Sequence, residues 1–250
     1  MPHFHDSAIV LRRLEYSETS QVLAVFGREY GQVRIIAKGS RRSTKKEFKP
    51  GLDLLEAGQV VFSARHVGQE ALATLVEWKQ ERTFSELRDS LLRWHSAYYL
   101  ADVTLAMTAE WDPHPGLYDA LIDALATACQ AHDALAAVVA YQRTLLEQTG
   151  FLGDLGRCVG CGRAPGAREP LYFTFSEGGL LCRDCEPARV EKRSVRVSID
   201  ALRRGVFNRP NDIGGAFDLF DYHLSHQMHR RPASAGALMK LVHSRRSSPR

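Results

Sequence analysis

Two C-x-x-C pairs, Cys158-Val-Gly-Cys161 and Cys182-Arg-Asp-Cys185, stand 20 residues apart in a stretch rich in Gly and Pro. No other feature narrows the choice of fold as much. Each pair lets one tight turn aim two sulfurs at a common point, and Gly160 and Gly162 supply the backbone freedom such turns need. Two turns complete a tetrahedron with no open position for water, the pattern of a structural zinc site. One structural Zn2+ on Cys158, Cys161, Cys182 and Cys185 is therefore expected. The competing arrangements are two disulfides, a redox pair or unpaired thiols. Disulfides belong to oxidising compartments, and a redox pair needs one C-x-x-C on a βαβ frame, which this chain lacks. Cys129 falls in a helical stretch and reads as a small buried residue outside the site.

The first 80 residues alternate like strands at Ser7 to Leu11, Gln21 to Phe26, Gln32 to Ala37, Gln59 to Ala64 and Ala71 to Trp78. Gly27, Tyr30-Gly31, Gly39-Ser40, Pro50-Gly51, Gly58 and Gly68 punctuate them as turns. Five strands in so short a span predict a small barrel, and the five-stranded barrel most used for nucleic acid is the OB-fold. From Thr83 the period lengthens, with Leu87, Leu91, Trp94, Tyr98 and Leu105 expected on the inward face of a long helix. Thr83 and Glu86 offer a capping box for it. Further helices are expected over Leu117 to Ala131 and from Asp133 to Gly150, then near Ile199 to Phe207, Ala216 to His229 and Ala235 to His243.

The expected fold class is α+β and multidomain: a five-stranded OB-fold barrel, then a helical domain with an inserted four-cysteine zinc module. The expected boundaries are 1–80 for the barrel, 81–157 for the helical bundle and 158–187 for the zinc module. Residues 188–243 are the C-terminal helices and 244–250 a disordered basic tail.

Charge is unevenly spread along the chain. Residues 1–80 hold 12 Lys+Arg against 9 Asp+Glu, 81–157 hold 5 against 11, and 158–250 hold 16 against 9. The two basic ends suit a polyanion and the acidic middle does not. Lys38, Arg41, Arg42, Lys45, Lys46 and Lys49 crowd a Gly- and Ser-containing segment between two strands, with Glu47 the sole acid. Such a segment can lay cations along a phosphate backbone at little cost in packing, although a solvated charge run reads alike. Phe26, Tyr30, Phe48 and Phe62 are candidate platforms for unpaired bases, with burial in the core as the alternative reading. Arg183, Arg189, Lys192, Arg193 and Arg196 form a second basic group.

No phosphate-binding loop, nucleophile elbow, dinucleotide turn or H-E-x-x-H helix appears, so catalysis is not expected. His223, His226 and His229 recur every third residue and read as surface histidines, since that spacing drifts around a helix. With no apolar run long enough to span a bilayer and no signal-peptide pattern, a cytoplasmic location is expected.

Several stretches, in this order and spacing, resemble the RecO family of bacterial recombination mediators. They are Val10-Leu11, Tyr16-Ser17-Glu18, Gly31, Ala37-Lys38-Gly39-Ser40-Arg41-Arg42, Tyr99-Leu100 and Leu145-Leu146-Glu147-Gln148-Thr149-Gly150, followed by both cysteine pairs with Gly162 and Gly178-Gly179-Leu180-Leu181. The resemblance implies binding of single- and double-stranded DNA and annealing of complementary strands. It also implies partnership with RecR and the single-stranded-DNA-binding protein, so that RecA is loaded onto protected strands. It would place DNA contacts on Lys38, Arg41, Arg42 and neighbouring cations, and metal ligands on the four cysteines. The chain departs from the family pattern at Ala101-Asp102, where many relatives carry Glu-Leu, and its net-acidic helical segment would repel an acidic partner tail. The rival readings are a zinc-ribbon RNA-binding protein and, more remotely, a metal-dependent nuclease.

Overall fold

The computed structural model describes residues 1–40, 52–130, 134–166, 169–207 and 209–247, with side chains described as far as residue 241. All five expected strands form: β1 (His3–Glu15), β2 (Gln21–Gly27), β3 (Gly31–Ala37), β4 (Ala57–Ser63) and β5 (Ala73–Arg82). They close in the order β1-β2-β3-β5-β4, with β3 and β5 parallel and every other pair antiparallel. Alternation along each strand sends Ala8, Val10, Leu23, Val25, Val33, Ile35, Val60 and Phe62 into the barrel interior.

One end of the barrel is plugged by aromatics, with Trp111 from the helical half edge-on to Phe4 and Phe62 beside Tyr30. The Trp111 N–H donates to the Gln32 carbonyl at 2.9 Å, which ties the plug to β3. The Asp112 backbone passes so close to Gly31 that a Cβ there would lie 2.0 Å from its carbonyl oxygen, and Gly31 also sits at φ +65.

A 3-10 turn (Ser85–Asp89) leads into α1 (Leu91–Met107), α2 (Pro115–Gln130) and α3 (Ala134–Gln148). The expected capping box does not form: Phe84 takes the cap position in the left-handed region, with no side-chain cap. After the cysteine-containing stretch come α4 (Ile199–Arg204), α5 (Pro210–Gln227) and α6 (Ala235–Ser247). Helix α3 packs against α1, α2 and α5, and the barrel joins the same core through Ile9, Leu11 and Phe26. No helix among the described residues is long and apolar enough to cross a membrane.

The expected inward face holds in part: Leu87 is buried and Trp94 and Leu105 pack against the core, but Leu91 and Tyr98 do not. Leu91 is 68% exposed and Tyr98 41%, while Leu92, Ser96, Tyr99, Leu100 and Val103 are buried. The helix is apolar on two sides. One packs on the bundle, and the other, with Trp94, Tyr98 and Leu105, lines a groove beside Arg12 and Arg13 of β1.

Two polar clusters are held in the bundle core. Tyr99 OH donates to Asp221 at 2.9 Å and accepts from Gln142 Nε2 at 2.7 Å. Asp102, the residue that departs from the family pattern, is buried and receives both Arg230 amines, at 3.2 and 2.8 Å, and the Ala233 N–H at 2.9 Å. Its burial works against ionisation, but Arg230 and the Ala233 amide prevail and hold the carboxyl below the ordinary carboxylate range. A depressed folded value stabilises the fold above the unfolded value and is lost as pH falls through the folded one. Asp102→Asn is therefore expected to cost about 1–3 kcal/mol at neutral pH. In urea titrations across pH, the gap from the parent should close below about pH 4.

Candidate metal centre and nucleic-acid interface

The cysteine stretch has its own sheet, β6 (Tyr172–Thr174), β7 (Gly179–Leu181) and β8 (Lys192–Ser194), in the order β7-β6-β8. These strands were not expected from the sequence, because three residues each are too short to show a period. The first cysteine turn closes by Gly162 N–H donating to the Cys158 carbonyl at 2.8 Å, and the second by Cys185 N–H donating to the Cys182 carbonyl at 3.2 Å. Val159 N–H donates to the Leu180 carbonyl at 2.8 Å and so fixes the first turn beside the second. A Cβ on Gly160 would lie 3.0 Å from Cys185 Sγ, so a side chain there would displace a ligand.

The four sulfurs lie within 4.8 Å of one another, and Cys161 and Cys182 Sγ are 3.8 Å apart. Zinc–thiolate bonds of about 2.3 Å on a tetrahedron put sulfurs about 3.8 Å apart. The donor set and its spacing thus fit zinc, with every position filled by protein. Burial raises the Cys182 thiol, but backbone N–H groups of Cys185 and Asp184, with Arg163, outweigh it and lower it to about 6. Cys185, hydrogen-bonded to Cys182 and Cys161, is pushed up to about 12. Four touching thiols cannot all ionise unless a cation neutralises them.

The module is fastened to α5 by His223. This residue is fully buried, with Nε2 2.7 Å from the Phe151 carbonyl oxygen and its ring against Phe173 and Phe175. It is a core residue and not the surface histidine expected. Periodicity alone could not reveal this, because the module that covers His223 comes from elsewhere in the chain. His226 is half-exposed beside Glu191, His229 is exposed, and no second metal cluster occurs among the described residues.

Of the expected DNA-contact residues, Lys38 is exposed just beyond β3, while Arg41, Arg42, Lys45, Lys46 and Lys49 lie outside the described residues, as does Phe48. The two ends of that segment are pinned together. The Gln21 side-chain oxygen, buried on β2, accepts from Ser40 Oγ at 3.3 Å and from the Leu52 N–H at 3.1 Å. Both ends of the cationic segment therefore meet at one end of the barrel. Gln21→Leu is expected to cost about 1–3 kcal/mol by leaving these donors unsatisfied. Gln21→Glu, which keeps the acceptor, should recover most of that in denaturant titrations.

Phe26 and Phe62 are buried and Tyr30 is packed in the aromatic plug, so none of the three offers a face to a base. In the second basic group, Arg189 pairs with Glu177, Lys192 with Glu186, and Arg193 stacks over Tyr222. Arg183 and Arg196 of that group are exposed.

A closed barrel thus shares a core with a helical bundle that carries a four-cysteine cluster. Residues 1–84 match the family model described as Recombination protein O N terminal, and residues 88–202 the one described as Recombination protein O C terminal. The junction between the two falls in the 3-10 turn before α1. A DNA repair protein RecO of Rhodopirellula baltica is 30% identical over 198 residues, covering 78% of this chain and 72% of that protein. One from Anaeromyxobacter dehalogenans is 31% identical over 184 residues, covering 72% and 70%. Another from Syntrophobacter fumaroxidans is 28% identical over 195 residues, covering 78% and 75%. The chain belongs to the RecO family of DNA repair proteins.

Proposed function

We propose that the chain is a recombination mediator that makes and breaks no covalent bond. In this reading the barrel serves as an OB-fold that binds single- and double-stranded DNA, and the protein anneals complementary strands in the cytoplasm. With RecR, it helps load RecA onto strands coated by the single-stranded-DNA-binding protein. One structural zinc ion on Cys158, Cys161, Cys182 and Cys185 holds the C-terminal module.

The observation that carries the DNA-binding part is the Gln21 clamp. It holds Ser40, two residues after Lys38, and Leu52 at one end of a closed barrel, and the sequence between them contains Arg41, Arg42, Lys45, Lys46 and Lys49. Cations on a segment that leaves and rejoins one barrel end suit a continuous phosphate backbone. The acidity of the bundle is less of an obstacle to an acidic partner tail than its charge count suggests, because Asp102 is neutralised by Arg230.

Equilibrium titration with labelled single-stranded DNA, duplex DNA and RNA of equal length tests this reading. Submicromolar binding to both DNA forms, with intact substrate after incubation with magnesium or manganese, is expected. Preference for RNA, or cleavage of the DNA, would overturn it.

A further inference from the structure

The four clustered sulfurs are not equivalent. Cys158 and Cys182 are buried with Leu181 in the module's own core, Cys185 is half-buried, and Cys161 is exposed. The first turn puts Cys161 at the surface. Cys158 N–H donates to the Arg163 carbonyl at 2.9 Å and Gly162 N–H donates back to the Cys158 carbonyl at 2.8 Å, so the chain reverses at Cys161 and Gly162. Gly162 takes φ +74, and a Cβ there would stand in open space, with no neighbouring atom within 4 Å.

Beneath this surface sulfur lies a second one. Cys161 Sγ is 3.8 Å from Cys182 Sγ, a pairing that crosses from one C-x-x-C to the other. Cys158 Sγ is engaged differently, accepting from the Cys182 N–H at 3.3 Å within the module core. A thiolate is oxidised according to its exposure, and stops at a disulfide when another sulfur is within reach. Cys161 meets both conditions. Cys129 does not, being half-buried on α2 with no second cysteine in that helix.

We propose that Cys161 is an oxidation site, and that hydrogen peroxide joins it to Cys182 in a disulfide that dismantles the metal site. The Cys161 thiolate attacks one peroxide oxygen, giving a sulfenic acid and hydroxide. The Cys182 thiolate then attacks that sulfur, so the S–S bond forms as the S–O bond breaks and a second hydroxide leaves. Two thiolates lose two electrons, and one peroxide is reduced to two hydroxides that the buffer protonates. Cys158 and Cys185 alone cannot complete a closed tetrahedral site. Metal binding and folding are coupled in a module this small, so its order is lost as well. Phe173 and Phe175 then leave His223, and the module comes off α5 while the barrel keeps its own core. The inference rests on the zinc reading and adds that an oxidant can open the site reversibly.

The test exposes the full zinc-loaded chain to hydrogen peroxide while a metal-binding dye reads released zinc, with peptide mapping of the same samples. Zinc is expected to appear in step with a Cys161–Cys182 peptide, and dithiothreitol with added zinc should restore hydrogen-exchange protection to the module. Cys161→His keeps four donors as a Cys3His set without the oxidisable sulfur, and should release zinc about tenfold more slowly. Cys129→Ser should respond like the parent. Zinc retained under peroxide, a Cys158–Cys161 disulfide in place of the crossing one, or protection by Cys129→Ser would overturn the inference and leave the zinc reading standing. So would release from Cys161→His as fast as from the parent. If Cys161→His does not load zinc, the peptide map of the parent decides alone. A parent chain that carries no zinc before exposure would remove the zinc reading itself.

Discussion

Cys182→Ser, or exhaustive chelation, is expected to unfold the module around residues 155–196 while the barrel stays folded. The reason is the size of the module's own core. Cys158, Leu181 and Cys182 are its buried members, flanked by Tyr172 and Cys185, and its strands are three residues long. So small a cluster cannot offset the entropy of ordering the chain, and structural zinc contributes an apparent 10–16 kcal/mol to folding in small modules of this kind. Phe173 and Phe175 then lose their fixed position against His223, so the damage should reach α5. The pure protein should carry one zinc per chain by elemental analysis. Hydrogen exchange of the Cys182→Ser chain should show protection lost from the module and α5 and kept in β1–β5. A zinc-free protein whose cysteine variants melt like the parent would refute the assignment.

The second large effect is electrostatic. Replacing Lys38, Arg41 and Arg42 together by alanine should weaken binding to single and double strands alike, and to the same extent for every sequence, because phosphate contacts carry no sequence information. If the six cations from Lys38 to Lys49 all meet phosphates, log affinity should fall against log salt with a slope of about −5 for the parent, and roughly half that for the triple variant. Titrations at several salt concentrations, on oligonucleotides of differing sequence, measure both quantities. Sequence-selective loss, or an unchanged slope, would count against a phosphate grip.

The elements that could be read from the sequence were those with local signals. Period-two alternation between turn glycines marked all five barrel strands, and the spacing of the cysteine pairs brought four sulfurs together as expected. What could not be read depends on packing from distant parts of the chain. Both sides of α1 are apolar, so Leu91 and Tyr98 looked inward with Leu87, Trp94 and Leu105 although they are exposed. His223 looked exposed because the module that buries it lies some fifty residues earlier in sequence. Phe26 and Phe62 looked available to bases, although the bundle and the aromatic plug consume their faces.

The central claim is that the chain brings complementary strands together without chemistry. It is tested most directly by following the pairing of labelled complementary strands precoated with the single-stranded-DNA-binding protein. The zinc-loaded chain is expected to speed pairing well above the spontaneous rate, and the triple cationic variant to lose most of that gain. Pairing no faster with the folded, metal-loaded chain than without it would contradict the account.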